Sequence, residues 1–141
     1  MMNDLTMFDF QDGNGQVAAH QHSNGGGWVA ATAKVASTSY IGPDARVYGN
    51  AWVFSNACVN GNAEVFDNAS VHGNATVIGN AWVSGDACVS GHAVIFDDAW
   101  VSGNADVFDE ARVSGNSRVS GDARVYGDTW VYGHGNARLS E

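Results

Sequence analysis

From Val29 to Val131 every sixth residue is Val or Ile, 16 Val and 2 Ile in 18 consecutive positions. Two residues before each stands a small residue, Ala in 14 cases and Gly27, Ser39, Ser117 or Thr129 in the others. Two residues after each, Gly dominates and is followed by Asn or Asp, as in Gly73-Asn74 and Gly121-Asp122. Within one unit, such as Ala51-Trp52-Val53-Phe54, small and branched side chains alternate with large ones. Alternation at period two is the mark of a strand with one face inward, and β-branched Val suits a pleated surface. Gly and Asn tolerate the positive φ of a tight turn, so each unit predicts a short strand and then a bend. Bends repeated in one sense coil the chain, and stacked coils pair strand on strand at ~4.8 Å. The pattern predicts an all-β parallel β-helix over residues 25–132, an N-terminal cap segment over 1–24 and a C-terminal tail over 133–141. No helical periodicity is present, and a β-sandwich would require hairpin loops of variable length where this spacing is constant.

How many strands make a coil is not set by the side chains. Outward large residues repeat at a spacing of 18 (Tyr48/Phe66, Ile78/Phe96, Phe108/Tyr126) and also at 12 (Phe54/Phe66, Phe66/Ile78, Phe96/Phe108). The expected end caps are Phe8 and Phe10, plugging the N-terminal end, and a slip after Gly133, where Gly135-Asn136-Ala137 restarts the motif out of register and ends the stack. The turn Asn residues are expected to form ladders along a corner.

The unit small-x-Val-x-Gly-Asn/Asp strongly resembles the hexapeptide-repeat family, over Gly27 to Tyr132. That resemblance implies a left-handed, three-sided β-helix in which three repeats complete one coil, with about six coils in all. The lead-in Ala19-His20-Gln21-His22-Ser23-Asn24-Gly25-Gly26-Gly27-Trp28 looks more narrowly like that of uncharacterised repeat-only proteins of phages and bacteria. Enzymes of the family are acyltransferases, which use a repeat-breaking loop to bind acyl-CoA and a catalytic His, and γ-class carbonic anhydrases, which bind zinc through three His. Here no loop interrupts the repeats between Val29 and Val131, and the repeats hold only His72 and His92, each read as a solvent-exposed variant. No Ser-His-Asp, Cys-His or paired-carboxylate arrangement stands out. The expectation is a non-catalytic binding or scaffold protein with no cofactor and no metal, such as a phage-type inhibitor that captures a protein or a small molecule. An acyl-CoA-dependent acyltransferase is the alternative.

Composition narrows the partners. The formal charge is −9, with 6 Lys and Arg against 15 Asp and Glu, which disfavours nucleic-acid binding. Five acids (Asp44, Asp86, Asp98, Asp122, Asp128) share one turn position, so a nucleic-acid mimic, which needs a concentrated acidic surface, is a second alternative only. Cys58 and Cys88 form no disulfide framework or zinc motif. The absence of a long apolar run or signal-like N-terminus predicts a soluble, cytoplasmic chain with no membrane partner.

The outward positions are rich in aromatics. Trp28, Trp52, Trp82, Trp100 and Trp130 precede the inward Val, and Tyr48, Phe54, Phe66, Phe96, Phe108, Tyr126 and Tyr132 follow it. Surfaces of this kind mark interfaces, and side-by-side association as a homotrimer is expected. With three repeats to a coil, Trp28, Arg46, Glu64, Trp82, Trp100 and Arg118 share one face, a candidate surface for a protein or for a planar, nucleotide-like ligand. His20 and His22 point the same way if their segment is extended, and together with Asn24 they complete the candidate residues.

Overall fold

The computed structural model describes residues 6–133 and 136–139, the last four by backbone alone. β1 (Thr6–Asp9) and β2 (Gln16–Gln21) form an antiparallel hairpin, and β2 pairs antiparallel with β3 (Trp28–Ala30). From there strands of mostly two residues, one per repeat, run from β4 (Lys34–Val35) to β20 (Trp130–Val131), followed by β21 (Asn136–Leu139). They build three parallel sheets, and each strand pairs with the one three repeats further on, as in Val83↔Val101 and Val101↔Val119. The first sheet has nine strands, including the hairpin and β21. The second begins at β4, the third at Tyr40–Ile41, and each has six strands. The architecture is the three-sided parallel β-helix of about six coils, and the ambiguity between spacings of 12 and 18 is resolved in favour of 18.

The core is what the six-residue period demands. From Ile41 to Val119 the branched positions are fully buried, and the Ala positions between them are equally sealed. Coil stacking puts like on like: Val77 lies between Val59 and Ile95 in the third sheet. A backbone N–H of one coil donates to a carbonyl of the next, as from Ser70 to Ala87 and from Cys88 to Ala105, each at 2.9 Å. Burial and ladder bonding thus come from the same stacking.

The bends refine the turn expectation. From residue 49 to 133 the position two after each Val or Ile has positive φ, between 59° and 71°, whether it is Gly or one of Ser55, Asp67, Asp97 and Asp109. The following Asn does not take positive φ; the conformational demand rests on the Gly position alone. Three aspartates meet it by a compensating bond. Asp67, Asp97 and Asp109 each accept, through Oδ2, the N–H of Gly85, Gly115 and Gly127 one coil later, at 3.1, 3.0 and 3.1 Å. The Asn position instead supplies the expected ladder: Asn62 Nδ2 donates to Asn80 Oδ1 (3.3 Å), and Asn80 Nδ2 to Asp98 Oδ1 (3.1 Å).

Both ends differ from expectation. Phe8 and Phe10 do not plug the core. In the antiparallel register Phe8 lies opposite Val17 and Gln21 opposite Trp28, which puts both phenylalanines on the outer side of the first sheet. There Phe8 stacks on Trp28 (4.4 Å) and Phe10 on Tyr48 (4.8 Å). The third sheet is covered by the segment 24–27: Ile41 N–H donates to Asn24 carbonyl at 3.0 Å, and Gly27 N–H to Ile41 carbonyl at 2.9 Å. Gly25 and Gly27 are required by this close approach, since a Cβ on either would collide with Ile41. At the other end the pairing does not slip. β21 runs parallel to Arg118–Gly121 with Ala137 opposite Val119, three repeats apart as everywhere else. Counted in sixes, Ala137 falls in the branched position, so the apparent restart of the motif changes occupancy without changing register. Residues 134, 135, 140 and 141 of the expected tail lie outside the described residues.

Two expectations test this account. Val77→Asp places a charge in a sealed slot at a cost of several kcal/mol, and circular dichroism should show the middle coils lost; a wild-type melting temperature would contradict the register. Asp97→Ala removes the Gly115 bond, worth about 1 kcal/mol, and keeps the left-handed Cβ strain that Asp97 already bears. Asp97→Gly loses the same bond but relieves that strain, about 1 kcal/mol. Thermal melts should therefore place Asp97→Gly near wild type and Asp97→Ala below both.

Candidate binding face

Outward side chains on each sheet form two columns, one preceding and one following the buried Val. On the first sheet the preceding column is Trp28, Arg46, Glu64, Trp82, Trp100 and Arg118, in consecutive strand register. The following column includes Tyr48, Phe66 and Ser84. Contacts run diagonally between the columns, from a residue after one Val to the residue before the Val of the next coil, a separation of 16. Tyr48 Oη donates to Glu64 Oε1 at 2.6 Å, Phe66 meets Trp82 edge-on at 5.8 Å, and Trp100 Nε1 donates to Ser84 Oγ at 2.8 Å. The third sheet repeats the device with Trp130 and Ser114, at 2.8 Å.

The diagonal Phe66–Trp82 contact, ring contacts at a separation of 18 and the two phenylalanines of the hairpin join the rings of the first sheet into one row. Trp28 stacks on Phe8, which packs edge-on against Phe10 (4.7 Å); Phe10 stacks on Tyr48 and Tyr48 on Phe66 (5.0 Å, 4° between planes). Trp82 is held edge-to-face between Phe66 and Trp100, the latter at 5.4 Å and 79°. A cation stands at each end: the Arg46 guanidinium 5.3 Å from the Phe8 ring and that of Arg118 5.1 Å from Trp100. Such contacts are worth about 0.5–1 kcal/mol each at exposed sites. Phe10 and Tyr48 are buried within the row, whereas Trp82 is 40 % exposed.

The structure divides the candidate residues into groups. Trp28 and Arg46 gather around Phe8 beside a depression of about 230 Å³. Trp82, Trp100 and Arg118 line a second of about 530 Å³, with Glu64, Asn62, Asn80 and Asp98 along its side. His22 and Asn24 lie elsewhere and fasten the cap: His22 Nε2 donates to the Ser39 carbonyl at 2.8 Å, and Asn24 Nδ2 donates to the same oxygen at 3.1 Å. His20, half-buried, faces Val29 across the β2–β3 pair.

Burial first, then the hydrogen bond to Glu64 and the charge of that carboxylate, push the Tyr48 phenol far above its ordinary range. The group is therefore held neutral and serves as a fixed donor to Glu64.

A Cys–His pair, which the linear order conceals, appears on the second sheet. Cys88 Sγ lies 3.4 Å from His72 Nε2, again at a separation of 16, and Phe54 stacks on the imidazole at 5.2 Å. Burial and the nearby Asp106 charge push the Cys88 thiol up, the opposite of what an activated nucleophile needs. Burial also raises the Cys58 thiol. Among the described residues no three His, Cys, Asp or Glu side chains gather as metal ligands, and no helix is long and apolar enough to cross a membrane.

A family model described as YdcK Beta solenoid repeat matches residues 69–85 and 117–133. Each matched stretch is about one coil, so the match supports a repeat β-solenoid without pointing to the hexapeptide-repeat transferases in particular. No curated protein and no solved structure matches the chain. The class that fold and match define together is the β-solenoid repeat proteins.

The Tyr48–Glu64 contact has a pH signature. A phenol whose folded-state pKa is raised contributes stability that is whole below the unfolded value near 10 and is lost as pH climbs from there toward the raised value. The wild-type melting temperature should fall as pH rises beyond about 10, and Tyr48→Phe, about 1 kcal/mol weaker at neutral pH for the lost bond, should show a shallower fall. Parallel pH profiles would refute the assignment.

Proposed function

We propose that this chain is a non-catalytic binding or scaffold protein whose working surface is the outer face of the first sheet, around Trp82, Trp100 and Arg118. The observation that carries this reading is the aromatic row itself. Its rings are fixed by contacts to neighbouring coils, Trp82 by Phe66 on one side and Trp100 on the other, so the exposed indole of Trp82 is preorganised and loses little entropy on binding. Half-exposed Trp beside Arg is the composition of interface hot spots. Replacing Trp82 and Trp100 together by Ala should leave the circular dichroism spectrum and a cooperative melt in place. It should weaken capture of the bound molecule at least about thirtyfold, the loss of a hot spot worth about 2 kcal/mol.

Self-association is the second reading, and the second sheet favours it. Trp52 is 48 % exposed and meets Phe54 at 5.9 Å beside a depression of about 410 Å³ lined by Lys34, Val35 and Ala36. Lateral packing of such faces builds a homotrimer. Light scattering should give a trimer that Trp52→Ala dissociates and the Trp82/Trp100 variant leaves intact; a monomeric wild type would exclude it. Acyl transfer from acetyl-CoA that disappears in His72→Ala or His92→Ala would overturn the non-catalytic reading.

A further inference from the structure

The binding face just proposed has a frame of polar groups, and their chemistry narrows what it takes. We infer that the depression over Trp82 and Trp100 binds an uncharged saccharide chain of about three rings. This inference rests on the reading of the first sheet as the binding face and adds the class of ligand.

The length follows from the repeat. Glu64, Trp82, Trp100 and Arg118 are successive neighbours in strand register. Three coil steps of ~4.8 Å span about 14 Å, which three linked hexose rings fill. Beside this column runs the Asn62–Asn80–Asp98 ladder, also one group per coil. A chain lying along the axis therefore meets two indoles between Glu64 and Arg118 on one side and a polar row on the other, both at a period close to its own.

The class follows from the hydrogen-bonding groups left over. Glu64 Oε1 is engaged by Tyr48, which leaves Oε2; Asp98 Oδ1 is engaged by Asn80, which leaves Oδ2; Asn62 and Asn80 each use one amide N–H along the ladder, which leaves each a second N–H and leaves Asn62 its carbonyl oxygen. Acceptors and donors thus stand side by side, and a hydroxyl group donates to one while its own oxygen accepts from an amide N–H or from Arg118. Two carboxylates against one guanidinium make the frame net negative, and the chain as a whole carries −9, so a polyphosphate is repelled. A cationic ligand is opposed at the other end, where Arg118 already occupies the cation seat over the Trp100 ring. What remains is a neutral molecule with hydroxyls at its edge and C–H faces for the exposed indole of Trp82.

Calorimetric titration of the full chain with maltotriose, cellotriose and triacetylchitotriose tests this, with ATP and spermidine as charged controls. Saturable binding of at least one trisaccharide is expected below about 10 mM. Trp82→Ala or Glu64→Gln should weaken it about tenfold or more, and Trp130→Ala on the third sheet should leave it unchanged. No heat from any of the three sugars, or binding that survives Trp82→Ala, overturns the saccharide assignment. Binding of ATP or spermidine that Trp82→Ala abolishes would overturn the ligand class and leave the binding face standing. A sugar, ATP or spermidine that binds wild type and binds the Trp82/Trp100 variant equally well would overturn the face as well.

Discussion

The interior of this protein is a narrow prism that admits only small and β-branched side chains, and everything else follows from that restriction. A wall residue larger than Ile would push neighbouring coils apart, and each coil is held to the next by backbone bonds of fixed length. The sequence therefore repeats Ala and Val with little freedom, and the large side chains are driven outward. An abundance of exposed aromatic surface is thus first a by-product of a core that cannot hold it. Its organisation into a bonded row on one of three faces is the additional feature that the core does not require.

Most of the fold is legible in the linear chain because the determining signal is periodic and each unit is autonomous. The Val positions, the sealed Ala positions and the corner ladder of Asn62, Asn80 and Asp98 all lie where the six-residue pattern puts them. The number of strands per coil is not legible from side chains, since stacking of Tyr48 on Phe66 at 18 and an imagined stacking of Phe54 on Phe66 at 12 look alike in sequence. Phe8 and Phe10 escape the pattern for a related reason: their strand lies outside the repeat, and only the antiparallel register of the hairpin shows which side of the sheet they occupy.

The candidate face is less completely legible. The column from Trp28 to Arg118 follows from counting eighteens, but several of the contacts that fix it run along the diagonal of sixteen. That interval pairs Tyr48 with Glu64, Phe66 with Trp82, His72 with Cys88 and Ser84 with Trp100. Scanning the sequence at sixteen finds each of them, including the Cys–His pair that no local motif announces. His22 and Asn24, candidates for a ligand site by residue type, converge on one carbonyl of Ser39 and act as fasteners for the cap.

Core and surface count the chain differently. The buried positions are identical every six residues, whereas a given outer face recurs only every eighteen. Losing a single repeat from the middle of the chain would leave every Val over a Val-like neighbour and every turn over a turn, so the interior would not register the change. The exterior downstream of it would be rotated by one third of a turn: Trp100 and Arg118 would leave the face of Trp82, and the aromatic row would be cut in two. Length variation in whole coils conserves such a face, and variation in single repeats scrambles it while the protein still folds. A scaffold of this type is accordingly easy to lengthen and easy to reshuffle, and only the surface records which of the two has happened.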